Sequence, residues 1–134
     1  MRILVVDDSR VMRRLVRGAL EAMEGGAPEI FEASDGLEAL QKLEQERLEV
    51  DLLLLDWTMP RMDGITFVRL LRGREALRHL PVVMLTSQAQ QSQKAEAADL
   101  GVVDYILKPF DADALRRKVG EVAARVREGK AARE

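Results

Sequence analysis

The side chains most suited to chemistry in this sequence are aspartates that follow short apolar runs. Asp56 ends a run of four leucines, and Asp7 and Asp8 follow the apolar residues 3–6. The leucine run predicts a strand buried on both faces, and a carboxylate beside it is costly to desolvate unless a partner compensates the charge. Open α/β sheets bind their ligands at the C-terminal ends of their strands. We therefore expect Asp56 to carry a function at that edge of the sheet.

Thr86 and Lys108 also follow apolar runs. Because parallel strands bring their C-terminal ends to one edge of a sheet, we expect both side chains to lie near the three aspartates. Carboxylates at close range repel one another and have raised pKa values, which a divalent cation relieves. Ligands that are all oxygen favour Mg²⁺. A carboxylate nucleophile, a lysine and a hydroxyl beside such a metal site suit phosphoryl transfer through an aspartyl phosphate.

Five apolar runs predict the strands that position these groups, at residues 3–6, 28–33, 52–55, 82–85 and 102–107. The segments between them carry apolar residues at helical spacing. Strands that alternate with helices predict an α/β fold with a parallel sheet and helices on both of its faces. Any one of the polar residues at the strand ends has an ordinary structural explanation, such as capping a helix. Their joint occurrence at the ends of four predicted strands favours a functional site.

The predicted helices differ in how much apolar surface they offer. In the second helix, Leu37, Leu40 and Leu43 form the expected buried stripe. The fourth helix, predicted over 88–100, has mostly alanine at its apolar positions, so we expect it to be among the mobile elements. The aspartates that we expect to cap the second, third and fifth helices are Asp35, Asp63 and Asp111.

The overall composition restricts the class of protein. The chain has 134 residues and a mass of 15.1 kDa, which predicts one domain at residues 1–127 and a short polar C-terminal tail at 128–134. Its net charge of −2 argues against nucleic acid as a partner. The absence of cysteine excludes disulfides and thiolate metal sites. With neither a signal peptide nor an apolar stretch of transmembrane length, we expect a cytoplasmic monomer that does not bind membranes.

Five motifs together resemble the receiver domain of the response regulators of two-component signalling. They are Val-Asp-Asp-Ser-Arg at 6–10, Asp-Gly-Leu-Glu-Ala-Leu at 35–40, Asp-Trp-Thr-Met-Pro at 56–60 with Asp-Gly at 63–64, Leu-Pro-Val-Val-Met-Leu-Thr at 80–86, and Lys-Pro-Phe at 108–110. The resemblance extends from Ile3 to about Val126 and implies a flavodoxin-like (βα)5 fold with strand order 2-1-3-4-5. Residues 11–17, residues 56–57 and Tyr105 are most similar to the receivers that control chemotaxis.

The resemblance implies how the acidic residues work. Asp56 accepts a phosphoryl group from a sensor histidine kinase or a phosphotransfer protein. Mg²⁺ binds directly to Asp8, Asp56 and the backbone carbonyl of Thr58, and through water to Asp7. The chain is then a signalling switch and not an enzyme, because the only reactions it catalyses are its own phosphorylation and dephosphorylation.

The resemblance also implies how the signal leaves the site. Lys108, in a cis peptide bond with Pro109, pairs with the phosphoryl group, and Thr86 moves to hydrogen-bond it. Tyr105 then turns inward, and the affinity for a downstream target protein changes, in chemotaxis or another pathway.

Three features of the sequence leave alternatives open. Chemotaxis receivers often have Asn and Glu where this chain has Thr58 and Gln88, and these positions influence dephosphorylation, so the lifetime of the phosphoryl group is undetermined. Four arginines of the first helix form either a kinase-docking surface or a solvated face. They are Arg10, Arg13, Arg14 and Arg17. The chain is either a whole protein or a receiver cut from a larger regulator.

Two other classes of protein use similar strand-end residues. A haloacid-dehalogenase-like phosphohydrolase also has an aspartate nucleophile, but needs a second acid two residues later, where this chain has Thr58, and its nucleophile usually ends the first strand. A flavodoxin-like or dinucleotide-binding domain needs a glycine-rich first turn, and residues 7–10 contain no glycine.

Overall fold

The computed structural model describes residues 1–87 and 92–133 and contains a five-stranded parallel sheet. The strands are β1 (Arg2–Val6), β2 (Glu29–Ala33), β3 (Leu52–Asp56), β4 (Val82–Thr86) and β5 (Val102–Leu107). The helices are α1 (Arg10–Glu21), α2 (Gly36–Leu40, continued by a π-helical turn at Gln41–Gln45), α3 (Gly64–Arg72), α4 (Lys94–Asp99) and α5 (Ala112–Arg133). The strand order is β2-β1-β3-β4-β5, which confirms the predicted flavodoxin-like topology.

The central strand β3 is buried along its whole length because helices cover both faces of the sheet. Successive side chains of a strand point to opposite faces. Leu52 and Leu54 therefore pack into a cluster with α1 and α5, whereas Leu53 and Leu55 pack into a cluster with α2 and α3. The all-leucine sequence of this strand is thus explained by two apolar environments.

Side-chain caps set the beginnings of the helices that follow the strands. The expected caps are confirmed: Asp35 accepts from the N–H of Glu38, Asp63 from that of Thr66 and Asp111 from that of Ala114. Ser9, which the sequence analysis did not single out, caps α1 by accepting from the N–H of Met12. Each bond satisfies a donor that the first helical turn leaves without an intrahelical partner.

The expected buried stripe of α2 is wrong at Leu37, which is 53% exposed. Ala39 and Leu43 are buried and lie one turn apart, so they define the inner side of this helix. Leu37 is two residues before Ala39, which places it on nearly the opposite side at 3.6 residues per turn. Leu40 is half-buried beside the core.

The last two helices differ from expectation in their bounds. Of the helix predicted over 88–100, residues 88–91 lie outside the described part of the chain, and α4 is the short segment Lys94–Asp99. The last helix continues to Arg133, so it includes residues 128–133 of the predicted polar tail. Alanine, lysine and arginine favour helix, which accounts for this extension. Within residues 1–87 and 92–133, no helix is both long enough and apolar enough to cross a membrane.

Arg72, the last residue of α3, ties together the loops that lead into β4 and β5. Its half-buried guanidinium donates to the carbonyls of Leu80 at 2.8 Å, Arg78 at 3.1 Å and Leu100 at 2.7 Å. Burial lowers the pKa of this guanidinium. Gly101, with φ +81°, lies directly against it and provides the turn into β5.

We expect Arg72→Gln to lower the free energy of unfolding by about 2 kcal/mol, because half-buried carbonyls lose a charged donor. The matched control is Arg69→Gln on the same helix, which removes a half-exposed ion pair with Glu96 and should cost less than about 1 kcal/mol. Urea unfolding followed by circular dichroism measures both values. Equal losses in the two variants would contradict the role assigned to Arg72.

Candidate phosphoryl-transfer site

The polar residues predicted to meet at the C-terminal edge of the sheet lie there. Asp56 is the last residue of β3 and Thr86 the last of β4, whereas Asp7 and Lys108 come directly after β1 and β5. The register aligns Val6 with Leu55 and Thr86 with Leu107, so these four strand ends lie side by side. The predicted convergence is therefore observed.

Three carboxylates meet at this edge. One oxygen from each of Asp7, Asp8 and Asp56 lies within 4.8 Å of the others. Asp7 and Asp56 are almost fully buried, at 1% and 6% exposure, whereas Asp8 is exposed. The cluster thus has a buried floor and one carboxylate at its opening to solvent.

Lys108 supplies the positive charge of the site. Its Nζ atom lies 2.9 Å from Oδ1 of Asp56 and 3.6 Å from Oδ2 of Asp7. Its backbone N–H donates to the carbonyl of Thr86 at 2.6 Å, and its peptide bond to Pro109 is cis. The ammonium group therefore bridges two of the three carboxylates.

Asp7 lies in an electrostatically unfavourable position. Burial raises the pKa of its carboxyl group, and the charges of Asp56 and Asp8 raise it further. A hydrogen bond from the N–H of Ser9 to Oδ1, at 2.9 Å, and the charge of Lys108 oppose this rise without cancelling it. The other oxygen, Oδ2, is buried and accepts no hydrogen bond from the described residues.

The turn after Asp56 depends on a close approach between β3 and α3. Gly64, the first residue of α3, donates its N–H to the carbonyl of Trp57 at 2.7 Å. A Cβ atom on Gly64 would lie 2.6 Å from the methyl group of Met84 and 2.9 Å from the carbonyl oxygen of Asp56. Glycine is therefore needed for this helix to start beside the site. Thr58 is exposed at the opening, and its N–H donates to Asp56 Oδ1 at 3.4 Å.

The two residues expected to relay a signal lie on neighbouring strands. Thr86 is buried, and its hydroxyl donates to the carbonyl of Ser87 at 3.2 Å. Tyr105 is half-buried in β5, and its hydroxyl donates to the carbonyl of Lys94, the first residue of α4, at 2.9 Å. The Lys94 ammonium also lies 5.1 Å from the centre of the tyrosine ring. Burial, with the charge of Asp104, raises the pKa of the Tyr105 hydroxyl further above neutral pH.

The four arginines of α1 differ in their contacts. Arg13 and Arg17 both bind the carboxylate of Glu32 on β2, whereas Arg10 and Arg14 are exposed. Arg13 also reaches the backbone carbonyl of Asp7, a contact that sequence reasoning missed because it depends on the pairing of β1 with β2. The four residues therefore do not form one uniform charged face.

Known proteins are similar to this chain in sequence. The family model for the response regulator receiver domain matches residues 3–120. The chemotaxis protein CheY of Pseudomonas aeruginosa is 42% identical over 126 residues, which cover 94% of this chain and 98% of that protein. Chemotaxis protein CheY-3 of Vibrio cholerae is also 42% identical, over 94% of each chain.

Solved structures give the same result. Vibrio cholerae chemotaxis protein CheY4, crystallised at low pH, has a TM-score of 0.79 and 31% identity, covering 90% of this chain and 97% of its own. A putative response regulator from Chloroflexus aurantiacus has a TM-score of 0.80 and 31% identity, covering 92% and 97%. None of these proteins supports the phosphohydrolase alternative. By sequence and by fold, the chain belongs to the family of response regulator receiver domains and is homologous to the CheY proteins.

Proposed function

We propose that this receiver domain is a switch in which Asp56 accepts a phosphoryl group from a phosphohistidine of a sensor kinase or phosphotransfer protein. The observation that carries the proposal is the position of Lys108, 2.9 Å from Asp56 and 3.6 Å from Asp7, among three converging carboxylates. A receiver domain works with such a donor protein, and the CheY relatives make a cytoplasmic role in chemotaxis the preferred pathway.

In the reaction that we assign to this site, a carboxylate oxygen of Asp56 forms a bond to phosphorus. The bond between phosphorus and the donor nitrogen breaks, and its electron pair stays on the nitrogen. Phosphoryl transfer requires mainly positioning and neutralisation of the phosphoryl oxygens. Lys108 supports both requirements because its ammonium group is already held at Asp56.

The carboxylates of this site fit a bound Mg²⁺ ion. Oδ2 of Asp7 is buried and lies 3.6 Å from the Lys108 ammonium, but it accepts no hydrogen bond from the described residues, so it can take a further hydrogen-bonding partner such as metal-bound water. The cluster offers only hard oxygen donors. We assign direct coordination to Asp8, Asp56 and the carbonyl of Thr58, and coordination through water to Asp7. When bound, Mg²⁺ offsets the negative charge of the carboxylates and of the phosphoryl oxygens.

We propose that Thr86 and Tyr105 transmit the signal from Asp56 to α4. A phosphoryl group on Asp56 adds acceptor oxygens next to the strand end that carries Thr86. Tyr105 lies on the strand beyond and is tied to α4 through the carbonyl of Lys94. Because α4 is short and buries only Ala97, its position is easily biased by these contacts. We propose that a downstream target binds the surface formed by α4, β5 and α5.

The first test concerns the acceptor. Incubation with Mg²⁺ and acetyl phosphate should add the mass of one phosphoryl group to the wild type and none to Asp56→Asn. Lys108→Ala should slow the uptake about a hundredfold, which is typical for loss of one group that stabilises developing charge. Asp99→Asn, an exposed aspartate of α4, is the matched control and should be modified like the wild type. An equal adduct on Asp56→Asn would disprove the assignment, as intact-mass spectrometry can show.

The second test uses the raised pKa of Asp7. Below the ordinary value of 3.8 the carboxyl is protonated in both the folded and the unfolded chain and has no effect. As the pH rises from there through the higher folded-state pKa, the unfolded chain ionises first, so unfolding becomes easier. Without divalent cations, Asp7→Asn should therefore be more stable than the wild type at pH 7 but not below about pH 3.8.

Mg²⁺ should reverse this order, because it stabilises only a folded chain that binds it, and the wild type binds it better than Asp7→Asn. Thermal unfolding with and without Mg²⁺ measures both effects. Asp8→Asn is the control, since its exposed carboxylate should give a smaller gain without metal. Identical stability of Asp7→Asn and wild type at pH 7 without metal would refute this account of the cluster.

The third test concerns the relay. Thr86→Ala should take up the phosphoryl group from acetyl phosphate at a rate within a few-fold of the wild-type rate, because the acceptor and Lys108 remain. The substitution should, however, prevent phosphorylation from changing the conformation of α4. Beryllofluoride, a phosphoryl mimic, should shift the amide resonances of Tyr105 and residues 94–99 in the wild type but not in Thr86→Ala. Thr66→Ala, at an exposed position of α3, should behave as the wild type. If beryllofluoride does not shift the amide resonances of α4 in the wild type, the proposed relay is wrong, even if Asp56 is phosphorylated.

A further inference from the structure

Arg13 differs from the exposed arginines of its helix in being nearly enclosed. Its side chain is 15% exposed and makes two contacts at once. Nε donates to Oε1 of Glu32 at 3.1 Å, and a terminal nitrogen donates to the backbone carbonyl of Asp7 at 2.6 Å. The second contact is to the main chain and not to the carboxylate, so it fixes the peptide from which the acidic side chains project.

Glu32 is itself held in place. Arg17 donates to its second oxygen at 3.0 Å and to the carbonyl of Ile30 at 3.1 Å. Burial alone would raise the pKa of Glu32, but the hydrogen bonds and charges of Arg17 and Arg13 lower it overall, so the carboxylate remains ionised. Glu32 lies beside Val5 in the pairing of β2 with β1. Arg13 is therefore anchored to the sheet and not to a flexible surface group.

The peptide on the other side of Asp7 is also held. The N–H of Asp7 donates to the carbonyl of Ala33 at 3.1 Å, while the carbonyl of Asp7 accepts from Arg13. Beyond this point the chain leaves the sheet, and Asp8 is exposed. Neither of the two peptide groups that flank Asp7 can therefore rotate without breaking a hydrogen bond, and this sets the direction in which Asp8 leaves the strand.

We propose that Arg13 is a positioning residue for the acidic site: by clamping the Asp7 carbonyl to Glu32, it orients Asp7 and Asp8 for binding of a divalent cation and so controls phosphoryl uptake. The inference rests on the function proposed above, since it concerns the same metal site. It adds a role for a residue of α1 that touches neither the cation nor the phosphoryl group.

Positioning and simple charge predict opposite effects on metal affinity. If Arg13 acted only as a nearby positive charge, its removal would reduce the repulsion felt by an arriving cation and tighten binding. If it positions the carboxylates, its removal loosens their geometry and weakens binding. The Arg13 guanidinium donates to Glu32 and to the backbone carbonyl of Asp7, and makes no hydrogen bond to the Asp7 carboxylate, which favours the positioning role.

The test is a Mg²⁺ titration of the full chain, followed by the fluorescence of Trp57, the only tryptophan, which is buried directly after Asp56. Arg13→Gln should weaken Mg²⁺ binding about tenfold, as is typical when a residue that orients metal ligands is removed. Arg13→Lys keeps the charge but lacks the planar fork that reaches both partners, so it should be intermediate. Arg14→Gln, the same charge change at the exposed neighbouring position, should bind like the wild type.

Two further variants separate positioning from a general loss of structure. Glu32→Gln should weaken binding less than Arg13→Gln, and the double variant should be no weaker than Arg13→Gln alone, because both changes remove one shared contact. Phosphoryl uptake from acetyl phosphate at saturating Mg²⁺ should recover in Arg13→Gln toward the wild-type rate, whereas a damaged fold would not recover with added cation.

The outcomes distinguish the two proposals. A wild type that shows no Mg²⁺-dependent signal and no phosphoryl adduct overturns the proposed function and this inference with it. A wild type that binds Mg²⁺ while Arg13→Gln binds equally well or more tightly overturns the positioning role alone. An Arg13→Gln chain that fails to fold is judged through Glu32→Gln, whose unchanged affinity would then count against the clamp.

Discussion

The structure is arranged around the repulsion among three carboxylates at one edge of a buried sheet. Asp7 and Asp56 are almost inaccessible to solvent, so water cannot screen their charges, and Asp8 adds a third charge at the opening. Lys108 compensates part of this charge by lying within 2.9 Å of Asp56. The remaining negative charge makes the site suited to a cation and to a phosphoryl group neutralised by one. In the function that we propose, a cluster that is unfavourable in itself is the source of affinity for the cation.

Holding such a cluster requires a rigid support, and β3 provides it. Its leucines are packed on both faces, so the end of the strand that carries Asp56 cannot shift without disturbing two apolar clusters. The approach of α3 to that strand end is close enough to exclude any side chain at Gly64. The opening of the site is formed by short turns on this support, where Asp8 and Thr58 are exposed to solvent.

Arginines that donate to backbone carbonyls secure the loops around this frame. Arg13 holds the carbonyl of Asp7 at the edge that carries the site, and Arg72 holds the loops at the opposite edge. Arg116 of α5 donates to the carbonyl of Ala19 and so joins the two helices on one face of the sheet. A guanidinium group suits this task because its several donors lie in one plane and reach two or more acceptors together. Half-buried loop carbonyls are thereby satisfied without additional secondary structure.

The sequence by itself predicted a parallel α/β sheet and the polar residues that meet at one of its edges, whereas the strand order was implied by the resemblance to receiver domains. Apolar runs that end in Asp7, Asp56, Thr86 and Lys108 predict parallel strands whose polar ends converge, because that signal depends only on neighbouring residues and on strand geometry. Only the tertiary structure decided which side of α2 faces the core, where Leu37 proved exposed because Ala39 and Leu43 are the buried pair. It also decided that Arg13 holds the Asp7 carbonyl whereas Arg14 faces solvent, since this choice depends on Glu32 of the neighbouring strand, a partner that is distant in the sequence.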